Sequence, residues 1–150
     1  MSLPALLRLR LHDFRCFARL DWRPPGARVL LAGPNGAGKT TLLEAVYLAA
    51  TTKSFRVSRP AACVRTGAAG FSILAEVGAH PRHELALAWS AAGRARALDG
   101  KESSLAEHLA VLPVLAWSRG EAELIGGGPA ARRALLDRGL VHVRPALLGD

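Results

Sequence analysis

The chain has 150 residues, half of them hydrophobic, with 20 Lys and Arg against 12 Asp and Glu for a formal net charge of +8. Such a composition excludes a disordered tail, and 15 Gly with 2 Cys exclude a collagen-like repeat and a disulfide scaffold. No apolar run reaches membrane-spanning length, and Arg8 and Arg10 interrupt the N-terminal apolar stretch, so neither a span nor a signal peptide is expected. Residues 1–60 carry +7 of the net charge, which points to a polyanion partner: nucleotide, nucleic acid or both. Since 17 of the cations are Arg, a GC-rich genome explains part of that excess as readily as binding does.

In chain order, Leu7 to Leu11 alternates apolar and charged residues, which predicts a half-buried strand. Asp13-Phe14-Arg15 follows, with Phe14 read as core, and a second short strand is expected near Leu20 to Trp22. Pro24-Pro25-Gly26 is a turn. Val29 to Ala32 is a short apolar run of the kind a strand buried on both faces carries. After a glycine-rich loop, Leu42, Leu43, Val46, Tyr47 and Ala50 recur at helical spacing and predict a helix over about Lys39 to Ala50.

Residues 51–70 are polar and broken. Phe71 to Val77, Leu85 to Trp89 and Arg94 to Leu98 then alternate as an antiparallel meander, the last ended by the hairpin signal Asp99-Gly100. Ser104 and Glu107 have capping-box spacing for a short helix. Val111 to Trp117, interrupted by Pro113, is expected as an edge or interrupted strand. Pro129 is placed to begin a helix carrying Arg132, Arg133, Leu135, Leu136 and Asp137. Cys16 and Cys63 have no partner at metal or redox spacing and read as buried small residues in a reducing cytoplasm. His80 and His83 flank Pro81 in what reads as a solvated loop.

The chemistry is concentrated in Gly33-Pro34-Asn35-Gly36-Ala37-Gly38-Lys39-Thr40, a full match to the phosphate-binding pattern G-x-x-x-x-G-K-[ST]. With this composition a chance match is expected about three times in a thousand such sequences, and the flanking strand and helix patterns argue further against chance. Glycines in this loop take positive φ, which lets backbone N–H groups surround a phosphate. Gly38 lets the helix start close to the anion. Lys39 reaches the β- and γ-phosphates, the Thr40 hydroxyl is placed to ligate Mg²⁺, and Thr41 lies within reach of the α-phosphate. ATP and Mg²⁺ are therefore the expected ligands. Lys53, Arg56 and Arg59 form a basic segment whose functional reading is contact with DNA phosphates without base reading.

The Pro-Asn-Gly-Ala-Gly loop resembles those of the ABC and SMC-like ATPases. With Leu9 to Arg15, Leu43 to Tyr47, Lys53-Ser54-Phe55-Arg56, Leu98-Asp99-Gly100 and the run from Leu124 through Pro129, Arg132 and Arg133 to Asp137, the chain resembles the RecF family along essentially all its length. The resemblance implies an α/β P-loop NTPase fold, the N-terminal half of an ABC/SMC-like head, with an antiparallel β-meander and the start of a helical arm. It divides the chain into an ATPase-head lobe at 1–117 and an arm from 118–150. It implies a role for Arg15 at the nucleotide. The whole protein is then a cytoplasmic DNA repair and recombination mediator that forms an ATP-dependent homodimer, binds single-stranded and double-stranded DNA at gaps or junctions, and works with RecO and RecR.

Two departures stand out. Family members carry a Thr/Ser-Pro-Glu run before the Gly-Gly-Pro block, whereas here Ser118-Arg119-Gly120 precedes Glu121, one place late. A Walker B segment and a signature motif are also missing, since Leu135-Leu136-Asp137 is too short and lacks a following Glu. The chain therefore reads as the N-terminal part of a longer protein, binding nucleotide without completing hydrolysis. The rival readings are another SMC-like ATPase, a transporter-type ABC subunit and a non-catalytic truncated module.

Overall fold

The computed structural model describes residues 4–78 and 80–117, with Pro129 and Arg133 beyond them. Six strands form one sheet in the order β2-β1-β3-β4-β5-β6, every neighbouring pair antiparallel. They are β1 (Ala5–Phe14), β2 (Phe17–Trp22), β3 (Gly70–Gly78), β4 (His83–Ser90), β5 (Gly93–Leu98) and β6 (Lys101–Glu102). Helices α1 (Lys39–Thr51) and α2 (Leu105–Val111) pack together on one face, and a 3-10 turn spans Pro60–Cys63.

Period-two alternation decides which face is covered. Leu9 and Leu11 of β1, Phe71, Ile73, Ala75 and Val77 of β3, and Leu85 and Leu87 of β4 point to the helices and are buried. They meet Leu42, Ala45, Leu48 and Ala49 of α1 in one core. Phe14 meets Phe71 edge-to-face at 5.3 Å, and Phe71 stacks on Trp89. The opposite face carries a cross-strand ion ladder. Arg8 bonds Asp21 and Glu76, and Arg10 reaches Glu76 at 3.6 Å and Glu84 at 3.3 Å. Alternation puts all five residues on one face, and the β1–β3 register sets Arg8 opposite Glu76.

The α1 helix, the meander and the capping box form as expected. Ser104 accepts from the Glu107 N–H, and Glu107 accepts from the Ser104 N–H at 2.8 Å. Four expectations need correcting. Val29 to Ala32 is not a strand, and Leu30 is 90% exposed. A strand buried on both faces needs neighbours, and no described residue pairs with this run. Val111 to Trp117 is the end of α2 followed by irregular chain, because the capped helix claims Val111 and Pro113 cannot donate to a ladder. Cys16 is exposed at the β1–β2 turn, while Cys63 is buried as expected. His83 belongs to β4, bonded to Asp99 at 2.7 Å, where the meander continues past the turn into β6. Glu121 and Arg132, and the helix expected from Pro129 apart from that residue and Arg133, lie outside the described residues. Pro129 and Arg133 are helical and exposed. No described helix is long and apolar enough to cross a membrane.

α2 is tied to α1 by His108, which is fully buried and donates Nε2–H to the Ala49 carbonyl at 2.7 Å. Its Nδ1 is buried without a partner. Burial, aided by the charge of Arg96, lowers the imidazole below its ordinary value of 6.5. The unfolded chain therefore takes up a proton below 6.5 that the folded chain refuses, so this residue's contribution to stability falls as pH drops through that window. Thermal unfolding on either side of pH 6.5 should show a loss on acidification that shrinks in His108→Gln. An equal loss in both proteins would assign the effect to other groups.

Candidate phosphate-binding site

The loop from Gly33 to Gly38 follows the irregular segment after β2 and ends on α1. Gly33, Gly36 and Gly38 all have positive φ, at 148°, 84° and 87°. Gly38 is the helix N-cap and provides no side-chain cap, so the N–H groups of the first turn are left for a ligand. The Lys39 ammonium folds back and donates to the carbonyls of Gly33 and Pro34, both at 2.7 Å. Thr40 is exposed at the first turn, and Thr41 is buried against the core. Gly38 is required twice over. A Cβ there would meet the Phe17 ring at 2.8 Å and the Cys16 sulfur at 3.2 Å, on a backbone that L residues rarely adopt.

One turn beyond Thr40, Glu44 is fully buried. Its carboxylate accepts from Arg15 Nε at 3.1 Å and Nη2 at 2.7 Å, from Arg56 Nη1 at 3.1 Å and from the Ser54 hydroxyl at 2.5 Å. Burial alone would raise this carboxyl, but the hydrogen bonds of Arg15 and Ser54 and the charges of Arg15 and Arg56 hold it below the usual carboxylate range. Burial in turn pushes the neighbouring Cys63 thiol up. The cluster thus joins α1, the β1–β2 turn and the 54–63 segment.

The predicted site residues divide accordingly. Residues 33–41 form one loop and helix start. The Arg15 guanidinium is engaged by Glu44, and so is that of Arg56. Lys53 and Arg59 are exposed and have no carboxylate within ion-pair distance among the described residues. Arg8 and Arg10 are committed to the ladder, so the +7 of the first sixty residues overstates the free positive charge. Sequence reasoning missed Glu44 as a hub. The available signal was a carboxylate on the apolar stripe of a helix, between Leu42 and Leu48.

A glycine loop running into an uncapped helix, packed on an antiparallel sheet, has the form of a P-loop nucleotide-binding head, and a family model described as an AAA domain matches residues 8–75. The chain is 36% identical over 149 residues to the DNA replication and repair protein RecF of Myxococcus xanthus, covering 97% of this chain and 39% of that protein. It is 37% identical to the RecF of Stenotrophomonas maltophilia over 148 residues, covering 94% of this chain and 41% of that one. The fold superposes with a TM-score of 0.88, at 23% identity, on the recombination mediator protein RecF-ATPrS in the RecFOR pathway, covering 96% of this chain and 40% of that chain. Along its length the chain is RecF-like in sequence and carries the N-terminal part of the RecF ATPase-head fold. It spans about 40% of the relatives it matches.

Proposed function

We propose that the chain is the nucleotide-binding part of a RecF-type DNA repair and recombination ATPase, with residues 1–117 as its head lobe and 118–150 as the start of a helical arm. The observation that carries this is the loop geometry: positive-φ glycines, uncapped first-turn amides and a lysine folded onto the loop's own carbonyls. On this reading the loop amides take the phosphates of ATP and Lys39 exchanges its two carbonyl partners for phosphate oxygens. Thr40 gives Mg²⁺ one hydroxyl ligand. No group of three acidic, His or Cys side chains suited to a metal occurs among the described residues. The whole protein would be a cytoplasmic, ATP-dependent homodimer that binds DNA at gaps or single-strand/double-strand junctions and acts with RecO and RecR to load recombinase. Similarity to proteins named for DNA replication and repair supports that wider reading. Calorimetric titration with ATP and Mg²⁺ tests its core, with saturable binding expected and no binding overturning it.

DNA contact through this part would be electrostatic and sequence-independent. Lys53 and Arg59 are the testable pair, because replacing Arg56 would also disturb Glu44. Lys53→Ala with Arg59→Ala should lower the slope of log affinity against log salt on duplex DNA by about two, at about 0.9 per lost contact. Fluorescence anisotropy across a salt series measures it. An unchanged slope would move the DNA contacts away from this segment.

A further inference from the structure

At the far end of α1 from the phosphate loop, a cavity of about 280 Å³ opens between the helix terminus, the segment after it and β5. Leu48 and Val57 line its apolar part, and Thr52, Lys53, Ser58 and Arg94 bring polar groups to it. It has no acidic lining residue. Neither Lys53 nor Arg94 has a carboxylate within ion-pair distance among the described residues, and the Thr52 and Ser58 hydroxyls make no hydrogen bond there. The nearby Glu44 carboxylate, reached through the lining residue Ser54, is already saturated by Arg15, Arg56 and Ser54. The cavity therefore offers hydroxyls and positive charge with no carboxylate of its own lining to pair them.

Size narrows the ligand. A cavity near 280 Å³ holds several waters but falls below the usual range for drug-sized or cofactor ligands. Segment geometry is fixed independently of any ligand, because the Ser54 hydroxyl also accepts from the N–H groups of Arg56 and Val57. Neutralising the helix C-terminus is the other role open to two cations here. Yet two of the carbonyls at that end are already satisfied, Leu48's by the Thr52 N–H and Ala49's by His108.

We propose that this cavity is a second phosphate site, in which Lys53 and Arg94 supply charge and Thr52 and Ser58 supply hydrogen bonds. It lies the length of α1 from the P-loop, roughly 20 Å for 13 residues. The ligand is a single phosphate group, either a free phosphate or phosphomonoester or one phosphodiester of a nucleic-acid backbone.

Amide NMR on the chain carrying Lys39→Ala, which silences the P-loop lysine, tests this site apart from the nucleotide reading. One titration uses inorganic phosphate and another oligo-dT. The amides of Thr52 to Ser58 and of Arg94 should shift saturably. Lys53→Met with Arg94→Met should weaken that binding about tenfold or more while the core strands keep their shifts. A response to phosphate alone assigns a small phosphorylated ligand, and a response to oligo-dT assigns backbone phosphates. Shifts confined to residues 33–41, shifts that survive the double substitution, or no shift at all would overturn the proposal. A double variant that is less stable but binds phosphate as before would assign the two cations to the helix terminus instead.

Discussion

Glu44→Ala should cost about 3–5 kcal/mol, the usual loss when one partner of a buried ion pair is removed. That is about a fifth or more of the roughly 5–15 kcal/mol stability of an ordinary domain. Glu44 has no solvent exposure and neutralises Arg15, which is itself largely covered. Without the carboxylate, Arg15 keeps its charge in a poorly hydrated place, and the Ser54 hydroxyl loses its acceptor. The β1–β2 turn and the 54–63 segment then lose their common anchor on α1. Urea denaturation measures the change. Pairing Glu44→Leu with Arg15→Met should recover much of the loss, because the covered Arg15 charge is then removed and the more exposed Arg56 can be hydrated. If the single variant is nearly as stable as the parent, the cluster is solvated and Glu44 is not a hub. The sign with pH also follows. The folded carboxyl titrates below its ordinary value of 4.5, so its contribution is complete above that value and is lost as pH falls through the folded value.

Lys39→Ala should abolish measurable ATP binding and leave the fold intact. The lysine's hydrogen bonds in the structure go to two carbonyls of the loop itself, Gly33 and Pro34, and none goes to the core. Charge-assisted bonds of this kind contribute about 1.5–3 kcal/mol each, so losing two to phosphate weakens binding by a factor on the order of a hundred or more. Circular dichroism and thermal unfolding should match the parent, while ATP titration should show no saturable signal. Unchanged affinity would remove the loop from the nucleotide site. Unfolding would show instead that Lys39 pins the loop's shape. Gly38→Ala separates the two effects, because it leaves the charge and disturbs the backbone through the Phe17 contact and the positive φ.

Everything that depends on neighbours in the chain was readable from the chain. The phosphate loop, the α1 periodicity, the β3–β5 alternation and the Ser104–Glu107 capping box are each set by residues within a few positions of one another, and each formed where its pattern stood. Tertiary structure decided what depends on distant partners. An apolar run such as Val29 to Ala32 has the side chains of a buried strand, but hydrogen-bonded neighbours make a strand, and none of the described residues supplies them. Formal charge could be counted from the sequence, but free charge could not. Arg8 and Arg10 are paired across strands with residues up to 74 positions away, and Arg15 and Arg56 converge on one carboxylate from opposite sides of α1 in sequence. Burial of Glu44 is likewise a property of the packed molecule. A single carboxylate on a helix is ordinarily solvated, and only the arrival of two guanidinium groups from other segments makes its complete burial tolerable.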